Sequence, residues 1–347
     1  MKVKDLLISK IKKKKFINLD EFINLSLFSD HGYYSKKNPI GSKSDFITAP
    51  EISQMFGEIL GLYILNFWDK KINSEFNLIE LGPGKGSLIK DILRIAQFND
   101  KFKEKMHLFL IEKNQKLKSI QKSVLKSNDL KKIRWFKNFK INNNFPSIIF
   151  SNEFFDCFPI RQFYKKKIWL EKFIEYNEKE DKFRFIDKQV KDSNLLKKLN
   201  KFNKIGVAEI SETREKYYGK LCKFLRKNKG IFITIDYGYL DPIKNFSLQT
   251  LHNHNNSHLF DNLGEQDITS LVDFRNLVDI AKKNKLMIDE FSYQKDFLLR
   301  NGIEIRKNKL QKNKNIKTKQ NLENDFNRLV NDQDMGKKFK VLIASCL

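Results

Sequence analysis

The feature that most constrains this chain is a glycine-rich turn between an apolar run and an amphipathic helical pattern, FNLIELGPGKGSLIKDIL, at residues 76–93. Its glycines, Gly82, Gly84 and Gly86, have the spacing G-x-G-x-G. Glycines at such a turn let the backbone bend tightly and approach a ligand without interference from a Cβ atom. The helix that follows points its free N–H groups toward that ligand. The pattern therefore predicts a strand, a ligand-binding loop and a helix.

Two acidic residues flank this loop and narrow the choice of ligand. Glu80 lies at the end of the predicted strand, and Glu112 ends the next predicted strand, 26 residues after Gly86. A carboxylate at Glu80 would repel a pyrophosphate, but it suits the cationic methionine end of S-adenosylmethionine. Glu112 is placed to accept hydrogen bonds from ribose hydroxyls. The spacing also differs from the dinucleotide fingerprint G-x-G-x-x-G. An ordinary αβ turn with glycines for packing stays open as the alternative.

From residue 76 onward, short apolar runs alternate with helical patterns, which is typical of a parallel sheet covered by helices. The predicted parallel strands are Phe76–Leu81, His107–Glu112, Ile133–Phe136, Ser147–Ser151 and Ile231–Asp236. The predicted helices are Ser87–Phe98, Asn114–Leu125, Glu212–Lys227 and Asp273–Lys283. Two further strands at the C-terminal end, Leu286–Tyr293 and Lys340–Cys346, complete a seven-stranded nucleotide-type α/β sheet.

The remaining segments predict additions to this sheet. Residues 1–28 have the pattern of two helices, and Thr48 with Pro50 predicts the start of another. Two charged, aromatic runs, Ile168–Tyr176 and Lys182–Ile186, predict an inserted antiparallel hairpin. The polar segment 303–334 predicts a helix and a mobile loop. We expect an N-terminal helical arm and substrate/cofactor lid over 1–58. The main domain then covers 59–347, with insertions at about 160–205 and 297–335.

The net charge of +25, from 67 Lys+Arg against 42 Asp+Glu, raises the question of a nucleic-acid partner. Lysine far outnumbers arginine, and Asn, Ile and Phe are abundant. This mix is typical of an AT-rich genome, whereas a dedicated nucleic-acid binder concentrates Arg and aromatic residues on one face. We therefore discount nucleic acid as a partner.

The sequence also predicts whether the protein spans a membrane, binds a metal or is exported. No apolar run approaches the roughly 18–20 residues of a membrane span, so we expect a soluble protein. The N-terminus has charges where a signal peptide needs an apolar core, and it uses Lys, with an acid at Asp5, where a mitochondrial transit segment favours Arg and Ser. We expect a cytoplasmic protein, or one of the mitochondrial matrix if the source is eukaryotic. The cysteines Cys157, Cys222 and Cys346 form no ligand cluster, and we expect no metal.

A second polar cluster follows the fourth predicted strand, in IIFSNEFFDCFPIRQF. Ligands of open α/β sheets lie beyond the carboxyl ends of the strands, so Asn152, Glu153 and Asp156 are well placed. Acidic side chains there can hold a substrate nitrogen through charge-assisted hydrogen bonds. The alternative is that Glu153 and Asp156 only cap the following turn.

Taken together, the motifs resemble those of the MidA-type family of class I S-adenosylmethionine-dependent methyltransferases. This family is related to a mitochondrial complex I assembly factor that methylates a protein arginine. The resemblance rests on GYY (32–34), SDFITAPEISQMFGE (44–58), ELGPGKG (80–86), SNEFFDCFPIRQF (151–163), IDYGY (235–239), GEQDITSLVDF (264–274) and MGKKFKVL (335–342). It implies a Rossmann-like sheet, S-adenosylmethionine as cofactor with S-adenosylhomocysteine as product, and symmetric dimethylation of an arginine. The implied protein substrate is a respiratory NADH dehydrogenase subunit of the 49-kDa type.

On this basis we assign residues to two roles. Paired carboxylates can hold a planar guanidinium bidentately and stabilise it as it reacts, and the candidates are Glu153 first, Asp156 second and Glu51 third. The aromatic side chains Tyr33, Tyr34 and Phe46 either close over the sulfonium or pack the N-terminal arm. The residues assigned to cofactor binding are Glu80, Gly82, Pro83, Gly84, Gly86, Glu112 and Asn152.

Two other functions stay open at this point. One is a methyltransferase of RNA or of a small molecule, and the other is a non-catalytic assembly factor that keeps the fold to grip a partner. The sequence predicts nothing about oligomeric state.

Overall fold

The computed structural model describes residues 2–36, 48–126, 132–253 and 255–347. Its α-helices are Val3–Lys14, Leu19–Phe28, Tyr33–Lys36, Ala49–Ile52, Gln54–Lys71, Ser87–Ala96, Asp100–Lys105, Gln115–Val124, Ser193–Leu199, Glu212–Asn228, Phe274–Lys283, Gln294–Arg300, Ile303–Gln311, Ile316–Val330 and Met335–Lys338. Its strands are Ile17–Asn18, Phe76–Leu81, Met106–Ile111, Ile133–Phe136, Ser147–Asn152, Arg161–Lys165, Trp169–Asn177, Lys182–Gln189, Val207–Ile210, Gly230–Tyr239, Gln249–His252, Asn255–Asn256, Asp267–Thr269, Val272–Asp273, Met287–Tyr293 and Phe339–Cys346.

The chain forms two compact units, each assembled from three separate segments. The first, which we name the arm unit, comprises Met1–Phe46, Phe155–Tyr217 and Tyr239–Arg275. The second, the sheet unit, comprises Ile47–Phe154, Tyr218–Gly238 and Asn276–Leu347. The boundary after residue 58 that the sequence suggests for a lid stays a prediction.

The sheet unit is an α/β structure whose strand order reverses next to the glycine loop. Its order is Met287–Tyr293, Phe339–Cys346, Gly230–Tyr239, Ser147–Asn152, Phe76–Leu81, Met106–Ile111 and Ile133–Phe136. The strand of this sheet that comes first in the sequence, Phe76–Leu81, pairs in parallel with Met106–Ile111 on one side and with Ser147–Asn152 on the other. The next two strands in the sequence extend the sheet on one side of Phe76–Leu81, and the later strands extend it on the other side. Ligands of open α/β sheets bind at such a switch point, beyond the carboxyl ends of the strands.

The two predicted C-terminal strands are confirmed as antiparallel additions to the parallel strands. Phe339–Cys346 lies between Gly230–Tyr239 and Met287–Tyr293 and pairs antiparallel with both. Its residues Val341–Ala344 are fully buried, as the apolar run in the sequence predicts. The Rossmann-like α/β sheet is therefore the one that the sequence predicts.

Aromatic packing anchors the helix Gln54–Lys71 on the sheet unit's core. Trp68, Phe76 and Phe102 form a buried triad whose ring centroids lie 4.9–5.8 Å apart. Full burial of each such side chain contributes about 1.5–3 kcal/mol relative to an exposed position. Within the triad, Phe76 starts the strand that leads to the glycine loop, so this packing fixes the base of that strand.

The helix predicted to start near Pro50 is instead two helices. Ala49–Ile52 ends at Ser53, whose backbone is extended (φ −155°, ψ 139°), and Gln54–Lys71 begins after it. The Ser53 hydroxyl accepts a hydrogen bond from the backbone N–H of Met55 at 3.4 Å. Thr48 occupies the cap position but makes no side-chain capping bond. The predicted helix start is thus confirmed, but this helix is short because Ser53 caps a new helix start directly after it.

The predicted loop within residues 303–334 is largely helical. Ile303–Gln311 and Ile316–Val330 are helices, and only residues 312–315 separate them. Arg306, on the first of these helices, binds the fully buried carboxylate of Glu58 at 2.7 and 2.9 Å. Arg94 reaches the same carboxylate at 3.1 Å. This ion-pair network ties the C-terminal helices to the core of the sheet unit.

The arm unit contains the predicted N-terminal helices and the predicted hairpin. Trp169–Asn177 pairs antiparallel with Lys182–Gln189, so the inserted hairpin is confirmed. The apolar faces of Val3–Lys14 and Leu19–Phe28 are buried within the same unit. In neither unit do the described residues include a helix with the length and apolar character needed to cross a bilayer.

Candidate active site

The glycine loop leaves the strand Phe76–Leu81 in a conformation that requires glycine. Gly82, Gly84 and Gly86 have φ values of 62°, 54° and 86°, in the left-handed region that side chains rarely adopt. The Gly86 N–H donates to the Pro83 carbonyl at 2.7 Å, which closes the loop. Helix Ser87–Ala96 begins directly after Gly86, so its first N–H groups face the space beyond the sheet.

Space at the start of the loop is limited by an aromatic ring. A Cβ atom on Gly82 would lie 2.8 Å from Cδ2 of Phe154, which is closer than non-bonded carbon atoms approach. Phe154 follows Ser147–Asn152, the neighbouring strand across the switch point. The loop backbone and the segment after this strand are therefore in direct contact.

Glu80 is a buried carboxyl group with an unused oxygen. Its side chain is 2% exposed, and its Oε2 atom has no hydrogen-bond partner among the described residues. Burial, together with repulsion from Glu112, raises the pKa of Glu80 well above its usual value. An unpartnered buried acceptor is costly unless a ligand satisfies it. A cationic ligand group would do so, and this fits the methionine end of S-adenosylmethionine.

Asn152 supplies a second unpartnered acceptor at the end of the neighbouring strand. Its Oδ1 atom is buried and has no hydrogen-bond partner in the described part of the chain, whereas its Nδ2 donates to Glu153 at 3.0 Å. The glycine loop and these two unpartnered acceptors, Glu80 Oε2 and Asn152 Oδ1, together fit a polar, cationic cofactor.

Glu112 lies directly after the strand Met106–Ile111, as the ribose interaction requires. Its Oε1 accepts from the backbone N–H of Asn114 at 2.7 Å, and its Oε2 accepts from Gln121 at 3.2 Å. Burial raises the pKa of Glu112, and the hydrogen bonds from Asn114 and Gln121 oppose that rise.

Gln121 is a residue of this site that the sequence-based assignment missed. The signal was present, because Leu117, Gln121 and Leu125 follow one another at intervals of four residues on one helix face. Gln121 is fully buried and donates to the Gly84 carbonyl at 2.7 Å. A polar side chain within an apolar stripe is the pattern that could have identified it.

Glu153 has an uncommon backbone conformation for a side chain of its type. Its φ is 49°, and such left-handed residues other than glycine cost free energy that the surrounding structure has to offset. The Glu153 N–H donates to the Ile235 carbonyl at 3.0 Å, and the next N–H, of Phe154, donates to the buried carboxylate of Asp236 at 3.1 Å. The neighbouring peptide groups are thus held on both sides. The half-buried Glu153 carboxylate also accepts from the Ala49 N–H at 3.4 Å.

Glu51, the third catalytic candidate, is engaged with the glycine loop. Its carboxylate accepts from the hydroxyl of Ser87 at the start of the helix, and Lys85 lies 3.6 Å from it. These contacts link the short helix Ala49–Ile52 to the loop.

Asp156 belongs to the arm unit. It is 7% exposed, and its Oδ1 accepts from the N–H of the next residue, Cys157, at 2.8 Å. Its backbone carbonyl accepts from the N–H of Ser270 at 3.0 Å. Ser270 in turn accepts from Arg214 at 3.0 Å, so the segment after Phe155 is firmly anchored within the unit.

The aromatic residues expected near the sulfonium have packing roles in the arm unit. Tyr33 is fully buried in its core. Tyr34 stacks on Phe28 with ring centroids 5.4 Å apart, and its hydroxyl donates to Asp267 at 3.1 Å. Burial and the charge of Asp267 raise the pKa of Tyr34 well above its usual value. Phe46 lies outside the described residues.

The described ranges contain no group of three His, Cys, Asp or Glu side chains positioned to hold a metal ion.

The strand order, the glycine loop and the flanking acids define a Rossmann-like methyltransferase. Residues 59–292 match the model of a family described as S-adenosyl-L-methionine-dependent methyltransferases, and the chain belongs to this family. The enzyme is thus an S-adenosylmethionine-dependent methyltransferase, and the observed site fits that cofactor.

Relatives and solved structures agree with this membership. The chain is 30% identical to protein arginine methyltransferase NDUFAF7, mitochondrial, of Mus musculus, over 96% of this chain and 82% of the relative. It is 29% identical to the Homo sapiens protein of the same name, over 96% and 81% of the two chains. A COG1565 superfamily protein of Burkholderia thailandensis, crystallised with S-adenosyl-homocysteine, has the same fold. Its TM-score is 0.86 at 21% identity, with 99% of this chain and 92% of that chain covered.

Proposed function

We propose that this enzyme is a protein-arginine N-methyltransferase that symmetrically dimethylates an arginine of a respiratory NADH dehydrogenase subunit of the 49-kDa type. The observation that carries the proposal is the similarity to the mouse protein arginine methyltransferase across 96% of the chain. Such a reaction would serve complex I assembly. It would take place in the cytoplasm of a bacterium, or in the mitochondrial matrix of a eukaryote.

The proposed cofactor site is the carboxyl edge of the switch-point strands. Gly82, Pro83, Gly84 and Gly86 supply a backbone cradle, and the N–H groups of the following helix face it. Glu80 and Asn152 would receive the polar methionine end, because their free oxygens lack partners among the described residues. Glu112 would accept the ribose hydroxyls. When bound, S-adenosylmethionine supplies an electrophilic methyl group.

The protein's own contribution to methyl transfer is alignment and charge stabilisation. An arginine is a poor nucleophile, because its lone pairs are delocalised and its charge persists at neutral pH. We propose that Glu153 accepts hydrogen bonds from the guanidinium and orients one nitrogen for in-line attack. Its backbone is restrained by the N–H bond to Ile235, and its carboxylate is oriented by the bonds that it accepts from Asn152 and from the Ala49 N–H. A preorganised carboxylate also stabilises the cation as charge redistributes in the transition state.

Asp156 is the second candidate for this role, and Glu51 is the third. The bonds of Glu51 to Ser87 and Lys85 support a role in fixing the loop more than a role in holding substrate.

The proposed reaction is tested with the purified protein, S-adenosylmethionine and the 49-kDa-type subunit from the same cell. The expected product carries two methyl groups on one arginine, one on each terminal nitrogen, as fragment mass spectra distinguish. In a strain that lacks this chain, mass spectrometry should find that methyl-arginine lost. Methylated RNA or a methylated small molecule, with an unchanged subunit, would favour the first alternative. Failed complex I assembly without any lost methyl group would favour a non-catalytic assembly factor.

A further inference from the structure

Gln121 joins three parts of the cofactor site through a single buried amide. Its side chain is fully buried on the helix Gln115–Val124. Its Nε2 atom donates to the Gly84 carbonyl at 2.7 Å and to Glu112 Oε2 at 3.2 Å. Its Oε1 atom accepts from the indole N–H of Trp135 at 3.0 Å. Gly84 and Glu112 follow two neighbouring strands, Phe76–Leu81 and Met106–Ile111, and Trp135 lies in the next strand of the sheet.

The orientation of this amide follows from the chemistry of its partners. The indole nitrogen of Trp135 is a donor only, so the oxygen of Gln121 has to face it. The amide nitrogen therefore faces the Gly84 carbonyl and the Glu112 carboxylate, both of which are acceptors. Each of the three bonds fits only one end of the amide, and the alternative flip would place like groups against each other at all three positions.

We propose that Gln121 is a positioning residue for cofactor binding, which holds the glycine loop and the Glu112 carboxylate in one fixed arrangement. The inference rests on the proposed contact between Glu112 and the ribose. The close packing at Gly86 supports this inference, because a Cβ atom on Gly86 would lie 3.4 Å from Cγ of Gln121. The helix that carries Gln121 thus packs directly against the loop, and the amide is its polar link.

Gln121 also keeps Glu112 able to act as an acceptor. The groups that face Glu112 are the N–H groups of Lys113 and Asn114, the amide of Gln121 and the carboxyl of Glu80. Burial raises the pKa of Glu112, and the bond from Gln121 lowers it. Without that bond, Glu112 takes up a proton at a higher pH and then no longer accepts two hydrogen bonds from a ribose.

Two variants and a matched control test the proposal. Gln121→Met keeps the size of the side chain and removes both donors, whereas Gln115→Met makes the same change at an exposed position of the same helix. We expect Gln121→Met to bind S-adenosylhomocysteine about ten- to a hundredfold more weakly by isothermal titration, and Gln115→Met to bind like the wild type. At saturating S-adenosylmethionine, kcat should stay within about threefold of wild type, so that the loss is in KM.

The pH dependence of binding separates positioning from simple loss of structure. In Gln121→Met, the pH below which affinity declines should shift upward relative to wild type, because Glu112 protonates earlier. Gln121→Glu should behave oppositely, since its protonated form regains a donor and its affinity relative to Gln121→Met should rise as the pH falls. The charge of Glu112 also raises the pKa of Glu80, so the pH-dependent differences between the three proteins report on Glu112 and on its effect on Glu80.

Each outcome is decisive. Equal affinity of Gln121→Met and wild type overturns the positioning role. So does an affinity loss that is the same at every pH and follows the fall in Tm. If the wild type itself fails to bind S-adenosylhomocysteine, the cofactor assignment has failed, which is a separate result.

Discussion

The ring of Phe154 occupies the space that a side chain at Gly82 would need, with Cδ2 2.8 Å from the position of a Cβ atom. Glycine is therefore required at position 82 for two reasons: its φ is 62°, and the ring of Phe154 leaves no space for a side chain. Because Phe154 directly follows Glu153, the cofactor loop and the proposed catalytic carboxylate are coupled through one contact. A substitution that displaces the ring of Phe154 or the backbone at Gly82 should therefore affect both cofactor binding and the position of Glu153.

Replacement of Gly82 by alanine should abolish or severely weaken cofactor binding, because the methyl group displaces Phe154 or the loop. A suitable control is Gly302→Ala, since Gly302 has a φ of 89° and a Cβ atom there meets its first neighbour at 3.9 Å. Both variants should lose about 1–2 kcal/mol of stability from the left-handed backbone. Only Gly82→Ala should lose affinity for S-adenosylhomocysteine in a calorimetric titration. Similar affinities for the two variants would show that the contact with Phe154 is unimportant.

Substitution of Glu153 by glutamine should retain shape and cofactor affinity while slowing methyl transfer. The loss of one charge-assisted contact that matters in the transition state costs about 2–4 kcal/mol, which is a rate decrease of about 10²–10³. Single-turnover methyl transfer and the Tm should be measured on the same preparation. An unchanged rate with a lower Tm would return Glu153 to a structural role and direct attention to Asp156.

The pKa of Glu80 implies that binding and protonation are linked. Folding raises this pKa, so the native protein holds more protons than the unfolded chain above the usual carboxyl range, and stability falls as pH rises. Glu80→Gln should therefore raise the Tm of the cofactor-free protein at neutral pH, with little effect in acid. It should also weaken S-adenosylhomocysteine binding about ten- to a hundredfold through the lost charge-assisted bond.

Wild-type binding should release a proton from Glu80, because a cationic ligand favours the ionised carboxylate. Titrations in buffers with different ionisation enthalpies measure this release directly. Binding without proton exchange at any pH would show that Glu80 does not contact the cationic group.

Removal of the Arg306 side chain should destabilise the sheet unit through Glu58. The Glu58 carboxylate is fully buried, and among the described residues Arg306→Met would leave it with Arg94 as its ion-pair partner. A buried charge left without any partner costs about 3–5 kcal/mol, and because Arg94 remains beside Glu58 we expect a smaller loss of about 1–3 kcal/mol. Arg328→Met changes an exposed arginine and should stay within about 0.5 kcal/mol of wild type in urea unfolding. Equal free energies of unfolding for the two variants would contradict the importance of this network.

Much of the sheet could be predicted because its strands are short, apolar and separated by clear turns. Phe76–Leu81 and Ile133–Phe136 have the predicted limits, and Ser147–Asn152 differs by one residue. The break at Ser53 was missed because it depends on a local cap inside an apolar helical pattern. The composition of the two units was also beyond sequence patterns, since each is assembled from distant segments.

The candidate site could be predicted only as far as strand ends and loop chemistry allow. Glu80 and Glu112 follow from their positions at the ends of strands, but the burial that raises their pKa values depends on the packed helices. The left-handed backbone at Glu153 has no local sequence signature, because it is held by hydrogen bonds that the N–H groups of Glu153 and Phe154 donate to distant residues. The role of Gln121 depends on Trp135, a partner that the helical pattern alone does not reveal.

The strand Phe339–Cys346 lies inside the sheet, although it is the last strand of the chain. During translation its two neighbours emerge from the ribosome first. Until Phe339–Cys346 follows, Gly230–Tyr239 is unpaired along one edge, and Met287–Tyr293 lacks the strand that joins it to the sheet. A nascent chain stalled just before Phe339 therefore presents unpaired strand edges to chaperones and proteases. A premature stop codon at position 339, which removes this strand, should eliminate the enzyme from the cell rather than shorten it harmlessly.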